Sequence, residues 1–279
     1  MGEAWRYAYA CVTGTSHARI GAACQDAGAC RVVAAPDGSA VLLALASDGA
    51  GSARRSEEGA GLALELFFAE FGGVCREDGI AAIDRNFVLA WLKKLRRGIA
   101  ARAASAGLRA GDYACTALGA VIAEERALFF QIGDGAIVVS ARHDAGDYGW
   151  VFWPQHGEFA NTTNFVTQRN AARALEIEIH EGPIDEVAIF TDGIERLVLD
   201  IAGKSAHAPF FQPLFRWLAG SPPREGSEAS RSLARYLGSK QVCDRTDDDK
   251  TLILATRLPT PRDARASDAG AAQSAAAAG

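Results

Sequence analysis

The sequence predicts an α+β fold of two mostly antiparallel sheets packed together and flanked by helices. Three observations lead there. Short apolar runs at residues 40–46, 127–132, 187–190 and 251–255 read as buried strands. The order of elements is strands, two long helices, many strands, two helices and a last strand. That order lacks the regular βαβ alternation of a doubly wound parallel sheet. Finally, each apolar run borders an acidic turn: Asp48-Gly49, Asp134-Gly135, Asp192-Gly193 and Asp247-Asp248-Asp249. A carboxylate at the end of a buried strand sits at a sheet edge, where a site can form.

The elements follow in order. Residues 5–12 alternate loosely and read as a first strand, and 14–26 as a polar, Gly-containing loop. Strands at 30–34 and 40–46 are joined by Pro36-Asp37-Gly38-Ser39, a hairpin signal. Residues 53–71 have helical spacing, with Leu62, Leu66, Phe67 and Phe71 on one side. A second helix runs over 83–107, with Phe87, Leu92, Leu95 and Ile99 apolar. Strands return at 114–123, 127–132, 136–140 and 149–153, the first two paired across Glu124-Glu125-Arg126. Trp150 and Trp153 fall on opposite faces of the last of these as packing residues. Residues 159–173 are polar and irregular, 175–180 alternate as an edge strand, and 187–191 form a buried strand. Helices at 209–219 and 228–237 flank Gly220-Ser221-Pro222-Pro223, and 251–256 is the last strand. From Pro259 onward Pro, Arg, Asp and Ala dominate without periodicity. The chain therefore divides into one domain over 1–258 and a disordered, Ala-rich tail over 259–279.

Composition narrows the function. Hydrophobic residues make up 49% of 279, enough for a sizeable core. A net charge of −5 argues against non-specific nucleic-acid binding. No run approaches the length of a membrane span and no basic start precedes an apolar segment, so a membrane role and a signal peptide are not expected. Six cysteines without CxxC or Cys/His metal spacing read as reduced thiols of a cytoplasmic protein. His156, His180 and His207 are isolated and read as structural or exposed.

Asp-Gly alone is ordinary turn chemistry. Four acidic turns, each beside a buried strand, instead suggest carboxylates converging on a hard divalent cation. Like charges about 4 Å apart repel by roughly 4 kcal/mol at an effective dielectric near 20, so such a cluster needs a counter-charge. With no histidine or cysteine at the turns, the all-oxygen set suits magnesium, manganese or calcium rather than zinc. Covalent alternatives lack their motifs: there is no Cys-x5-Arg loop, no Gly-x-Ser-x-Gly elbow and no nucleotide P-loop.

The ordered set Gln25-Asp26, Asp48-Gly49-Ala50-Gly51, Ala114-Cys115-Thr116-Ala117-Leu118, Gly133-Asp134-Gly135, Thr191-Asp192-Gly193 and Asp248-Asp249-Lys250-Thr251 resembles the metal-dependent serine/threonine protein phosphatases of the 2C type, in particular a bacterial branch. The resemblance implies a four-layer α-β-β-α sandwich with the site at one end. It implies hydrolysis of phosphoserine and phosphothreonine in proteins by a water activated at a binuclear centre of Mn²⁺ or Mg²⁺. Asp48 would bridge the ions, Asp192 and Asp248 would bind one, and the Gly49 carbonyl with water held by Asp26 would serve the other. Asp134 with Asp192 would take a third ion, as in bacterial relatives. A shift of one residue would make Asp249 rather than Asp248 the last ligand. The chain departs from the family pattern at Gln25 (glutamate), Gly21 (arginine) and Ala50 (histidine). Arg19 and His17 are then the candidate phosphate contacts, with Arg54 and Arg55 as alternatives. These departures motivate one other reading, a degenerate member that only binds metal or phosphopeptide; a second alternative is a hydrolase of a small phosphorylated metabolite. The expected partners are a phosphorylated protein substrate and a regulator.

Overall fold

The computed structural model describes residues 5–141, 146–155, 163–222 and 227–258. In chain order these form β1 (Trp5–Val12), α1 (Thr15–Arg19), β2 (Ala27–Ala34), β3 (Ala40–Ser47), α2 (Ser56–Glu77), α3 (Arg85–Ser105), β4 (Ala117–Ile122), β5 (Arg126–Ile132), β6 (Ala136–Ala141) and β7 (Gly149–Phe152). There follow α4 (Ala171–Ala174), β8 (Glu176–Glu181), β9 (Ile184–Phe190), α5 (Glu195–Val198), β10 (Leu199–Asp200), β11 (Ser205–Ala206), α6 (Ala208–Ala219), α7 (Ser227–Leu237), α8 (Lys240–Cys243) and β12 (Lys250–Arg257). One sheet has the order β1-β12-β9-β6-β7 and the other β2-β3-β4-β5-β8, with every neighbouring pair antiparallel.

Strand β3 explains why the central strands read as unbroken apolar runs. Its odd positions Val41, Leu43 and Leu45 pack with Phe67, Phe71, Trp91 and Leu95 of α2 and α3. Its even positions Leu42, Ala44 and Ala46 pack between the sheets with Ile137, Val187, Ile189 and Ile253. Both faces are dry, so alternation disappears. On the far side, Ala188, Phe190, Leu252 and Leu254 meet Phe211, Phe215, Leu233 and Leu237 of α6 and α7. Three apolar layers thus separate four structural ones, giving the expected α-β-β-α sandwich. Strand β8, at an edge, keeps the expected alternation over its first four residues: Ile177 and Ile179 pack towards the helices while Glu176 and Glu178 are exposed.

The structure departs from the sequence reading in particular places. The polar loop after β1 contains the short helix α1. Val12 ends β1, and Gly14 then starts a turn whose carbonyl accepts from the Ala18 amide (2.9 Å). Trp150 and Trp153 do not diverge: β7 ends at Phe152, alternation stops there, and the two rings meet edge to face with centroids 5.4 Å apart. Trp150 remains 40% exposed, its indole N–H donating to the Lys204 carbonyl (2.9 Å). The small β10–β11 hairpin and α8 follow no pattern recognised in the sequence. His156 and the tail 259–279 lie outside the described residues. Among the described residues no helix is long and apolar enough to cross a membrane.

Phe130 joins the layers under α2 and α3: it is fully buried and stacks on Phe71 at 5.6 Å, with Trp91 at 5.1 Å. Phe130→Ala is expected to cost about 3–5 kcal/mol in urea denaturation. Val32→Ala, at a 38% exposed edge position, should stay within about 0.5 kcal/mol. Equal losses for the two would contradict this account of the core.

Candidate active site

Register brings the acidic turns together. Ala27, at the start of β2, pairs with Ser47 at the end of β3. Ala117 opens β4 opposite Ile132, which closes β5. Ala136 and Leu252, at the starts of β6 and β12, both pair with Phe190 at the end of β9. Asp26, Asp48, Asp134, Asp192 and the Asp247–Asp249 turn all abut these paired ends, so antiparallel pairing within each sheet and packing of the two sheets deliver them to one end of the sandwich.

There Asp48, Asp134, Asp192 and the Asp247–Asp249 turn line a cavity of about 330 Å³ with Ser16, His17, Gln25, Gly49, Thr163 and Phe165. Each of Asp48, Asp134 and Asp192 offers a carboxylate oxygen within 4.8 Å of the others. Asp48 is fixed by its backbone, whose N–H donates to the Thr116 hydroxyl (2.8 Å) and whose carbonyl accepts from the Thr116 amide (2.8 Å). Asp26 is buried just beneath, its carboxylate accepting from the Thr191 hydroxyl (2.8 Å). That hydroxyl also accepts from the Thr251 amide (3.1 Å), tying β9, β12 and Asp26 together.

The two neighbours Asp248 and Asp249 face different tasks. Asp249 is 3% exposed, and its two oxygens accept from the Gly14 and Gln25 amides, both at 2.6 Å. The Nδ1 atom of His17 lies 3.0 Å from the same carboxylate. Asp249 therefore rivets two loops to the last strand. Asp248 is exposed, lines the cavity, and accepts from the Asp249 amide (2.8 Å). Gly193 allows this turn to approach, because a Cβ there would lie 1.8 Å from the Asp249 carbonyl oxygen. Gly133, at φ +132°, is similarly required before Asp134.

Electrostatics mark the cluster as short of positive charge. Burial, then Asp26, Asp192, Asp134 and Asp248, pushes the Asp48 carboxyl well above its ordinary range. Asp192 is pushed up to about 8 by burial and then by Asp134, Asp248 and Asp26. Asp26 rises to about 6, mainly through burial and against the Thr191 hydrogen bond. The donor set fits a hard divalent cation: every converging side-chain atom is an oxygen. The Gln25 side-chain oxygen adds a buried acceptor without a hydrogen-bond partner at the cavity wall.

Arg19 is exposed at the end of α1 and does not line the cavity, whereas His17 does. Arg55 pairs with Glu58 at 2.6 Å and lies outside the lining, as does Arg54. Two residues had no role assigned from the sequence. Lys250 is wholly buried and donates to the Asp248 carbonyl (3.0 Å). Gln131 is buried, and its amide nitrogen donates to the Gly133 (3.2 Å) and Gly135 (3.1 Å) carbonyls. Their signal was one polar residue at the head or tail of an otherwise apolar run.

Comparison with known proteins agrees with the geometry. The family model described as protein phosphatase 2C matches residues 13–238. Serine/threonine-protein phosphatase 3 of Escherichia coli (strain K12) is 37% identical over 254 residues, covering 90% of this chain and 98% of that protein. The fold resembles that of the serine/threonine phosphatase Stp1 from Staphylococcus aureus, with a TM-score of 0.59, 14% identity, and 93% and 97% of the two chains covered. It equally resembles the catalytic domain of the phosphatase PstP, solved with two manganese ions, with a TM-score of 0.59, 15% identity and coverage of 91% and 99%. With matching motifs, sandwich and acidic end, the chain belongs to the protein phosphatase 2C family.

Proposed function

We propose that the protein is a metal-dependent phosphatase acting on phosphoserine and phosphothreonine in proteins. The observation that carries this reading is the convergence of Asp48, Asp134 and Asp192, from separate strand ends, within 4.8 Å. The manganese ions in PstP and the name of the Escherichia coli relative support the metal and the substrate class. Asp48, Asp192 and Asp248 would hold two Mn²⁺ or Mg²⁺ ions with the Gly49 carbonyl, and Asp134 with Asp192 a third. Asp26 would act from beneath, oriented by Thr191. When bound, such ions lower the pKa of water towards about 7 and offset charge on the phosphoryl oxygens.

The chain's own residues do the rest. Asp249 steadies the loop that presents His17, which we assign as the phosphate contact. Among the described residues no arginine or lysine lines the cavity, so the acidic wall repels a phosphate until its carboxylates are neutralised. Six free cysteines suit a reducing compartment, and we propose the cytoplasm. The test is hydrolysis of phosphoserine and phosphothreonine peptides with Mn²⁺, beside a panel of phosphorylated metabolites. Peptide turnover abolished by chelator is expected. Mn²⁺ binding without turnover of any compound would return the chain to a binding module, and turnover of metabolites alone would change the substrate.

Two outcomes follow from the cluster. Asp48→Asn should lower turnover by more than about 100-fold while the fold, read by circular dichroism, persists. Stability of the metal-free protein should depend on pH with a definite sign. Asp26 and Asp192 have folded values of about 6 and 8, above their ordinary 3.8. The folded state then holds more protons than the unfolded chain, so stability is full below about pH 4 and is lost as pH rises through those values. Melting temperature in chelator should fall between about pH 5 and about pH 8, and the gain from added Mn²⁺ should widen over the same range. A gain independent of pH would argue against ligation by these carboxylates.

A further inference from the structure

We infer that Gln155 is a positioning residue that couples the Asp134 turn to the cavity wall formed by Thr163 and Phe165. The inference rests on the proposed role of Asp134 as a cation ligand. Gln155 follows β7 and grips Gly133 twice: its amide donates to the Gly133 carbonyl (3.1 Å), and its side-chain oxygen accepts from the Gly133 amide (3.1 Å). The same oxygen accepts from the Asn164 side-chain amide (3.3 Å), and the Gln155 carbonyl accepts from the Thr163 hydroxyl (3.4 Å). The side-chain nitrogen donates to the Ala174 carbonyl and to the Glu176 carboxylate, both at 2.7 Å. Two acceptor sites and two N–H donors exhaust what one glutamine amide can do.

This saturation matters because of what lies at each end. Gly133 precedes Asp134 at φ +132°, packed so closely on Thr116 that a Cβ would lie 2.5 Å away. Gln131 holds the turn from the buried side through the Gly133 and Gly135 carbonyls. Thr163 and Phe165 lie in a segment anchored independently: the Val166 carbonyl accepts from Arg96 of α3 (2.6 Å), and the Val166 amide donates to Cys115 (2.9 Å). Asp134, Thr163 and Phe165 all line the cavity. A displacement of the wall by a substrate therefore reaches the Asp134 turn through Gln155, and the reverse.

Gln155→Glu keeps the acceptors towards Gly133 and Asn164 but turns the donor side into an oxygen facing Ala174 and Glu176. An added carboxylate would by itself attract cations, so weaker Mn²⁺ binding cannot be its direct charge effect. Gln155→Glu/Glu176→Gln restores a donor opposite the new carboxylate. Mn²⁺ binding is read by electron paramagnetic resonance, with Asp134→Asn as reference, and amide exchange at Gly133 is read in the metal-free protein. In Gln155→Glu, the ion lost in Asp134→Asn should weaken about tenfold or more while the remaining ions stay bound. Gly133 exchange should rise, and the double variant, which restores a donor opposite position 155 at residue 176 but not at Ala174, should recover part of both. Wild-type Mn²⁺ affinity with wild-type exchange at Gly133 would overturn the inference, as would failure of the double variant to recover either. A wild-type ion count in Asp134→Asn removes the ligand role of Asp134 itself, and Gly133 exchange then decides the Gln155 clamp alone. Should Gln155→Glu not fold, Gln155→Ala, which adds no charge, is read by the same two measurements with the same meaning.

Discussion

Antiparallel register is the constraint on which the site depends. In a hairpin or an antiparallel pair, the end of one strand lies beside the start of the next, so turns separated widely in sequence share one edge. Here the two sheets also pack face to face through Leu42, Ala44, Ile137, Val187 and Ile253, which superimposes their edges. Asp26 and Asp48 arrive from one sheet and Asp192 from the other, with Asp134 in the turn that crosses between them. A slip of one residue in β3 would exchange its two buried faces and withdraw Asp48 from the cluster at once. The apolar layers therefore enforce the position of the carboxylates, against repulsion of roughly 4 kcal/mol for each pair at about 4 Å.

Local ties finish what register begins. Asp249 accepts two backbone amides from loops more than two hundred residues away in sequence, so a carboxylate that looks like a ligand is consumed as a rivet. Thr191 acts as a relay, accepting from β12 and donating to Asp26. Lys250 brings its buried Nζ to the Asp248 carbonyl from the first position of β12. Most of these contacts use backbone groups, so they hold the turns without drawing on the side chains of Asp48 and Asp192.

Much of this was legible in the sequence because strand and turn signals coincide. An apolar run ending in Asp-Gly fixes a strand terminus and a carboxylate in one motif, which made the order and location of the cluster readable. Asp248 is preferred to Asp249 by motif register alone, since adjacent side chains in an acidic run carry no mark of which amides will face them. Gln155 was hidden for a similar reason: its partners Gly133, Asn164, Ala174 and Glu176 come from three stretches of chain, and none is adjacent to it in sequence. Trp150 and Trp153 misled because parity assumes a strand that continues, and β7 stops between them.

Charge sets what the cavity can admit. Six aspartates line the cavity, while its described wall offers one imidazole as a basic group. An arginine could hold a phosphate whether or not a cation were present, since its charge is permanent. A wall of carboxylates has the opposite property, because it admits an anion only after its own charge has been offset. Burial acts on the cluster itself, since Asp48 and Asp192 resist ionisation until a cation compensates them. Their full negative charge therefore develops only together with the cation that offsets it, and the rigid strand ends keep the carboxylates from relaxing apart.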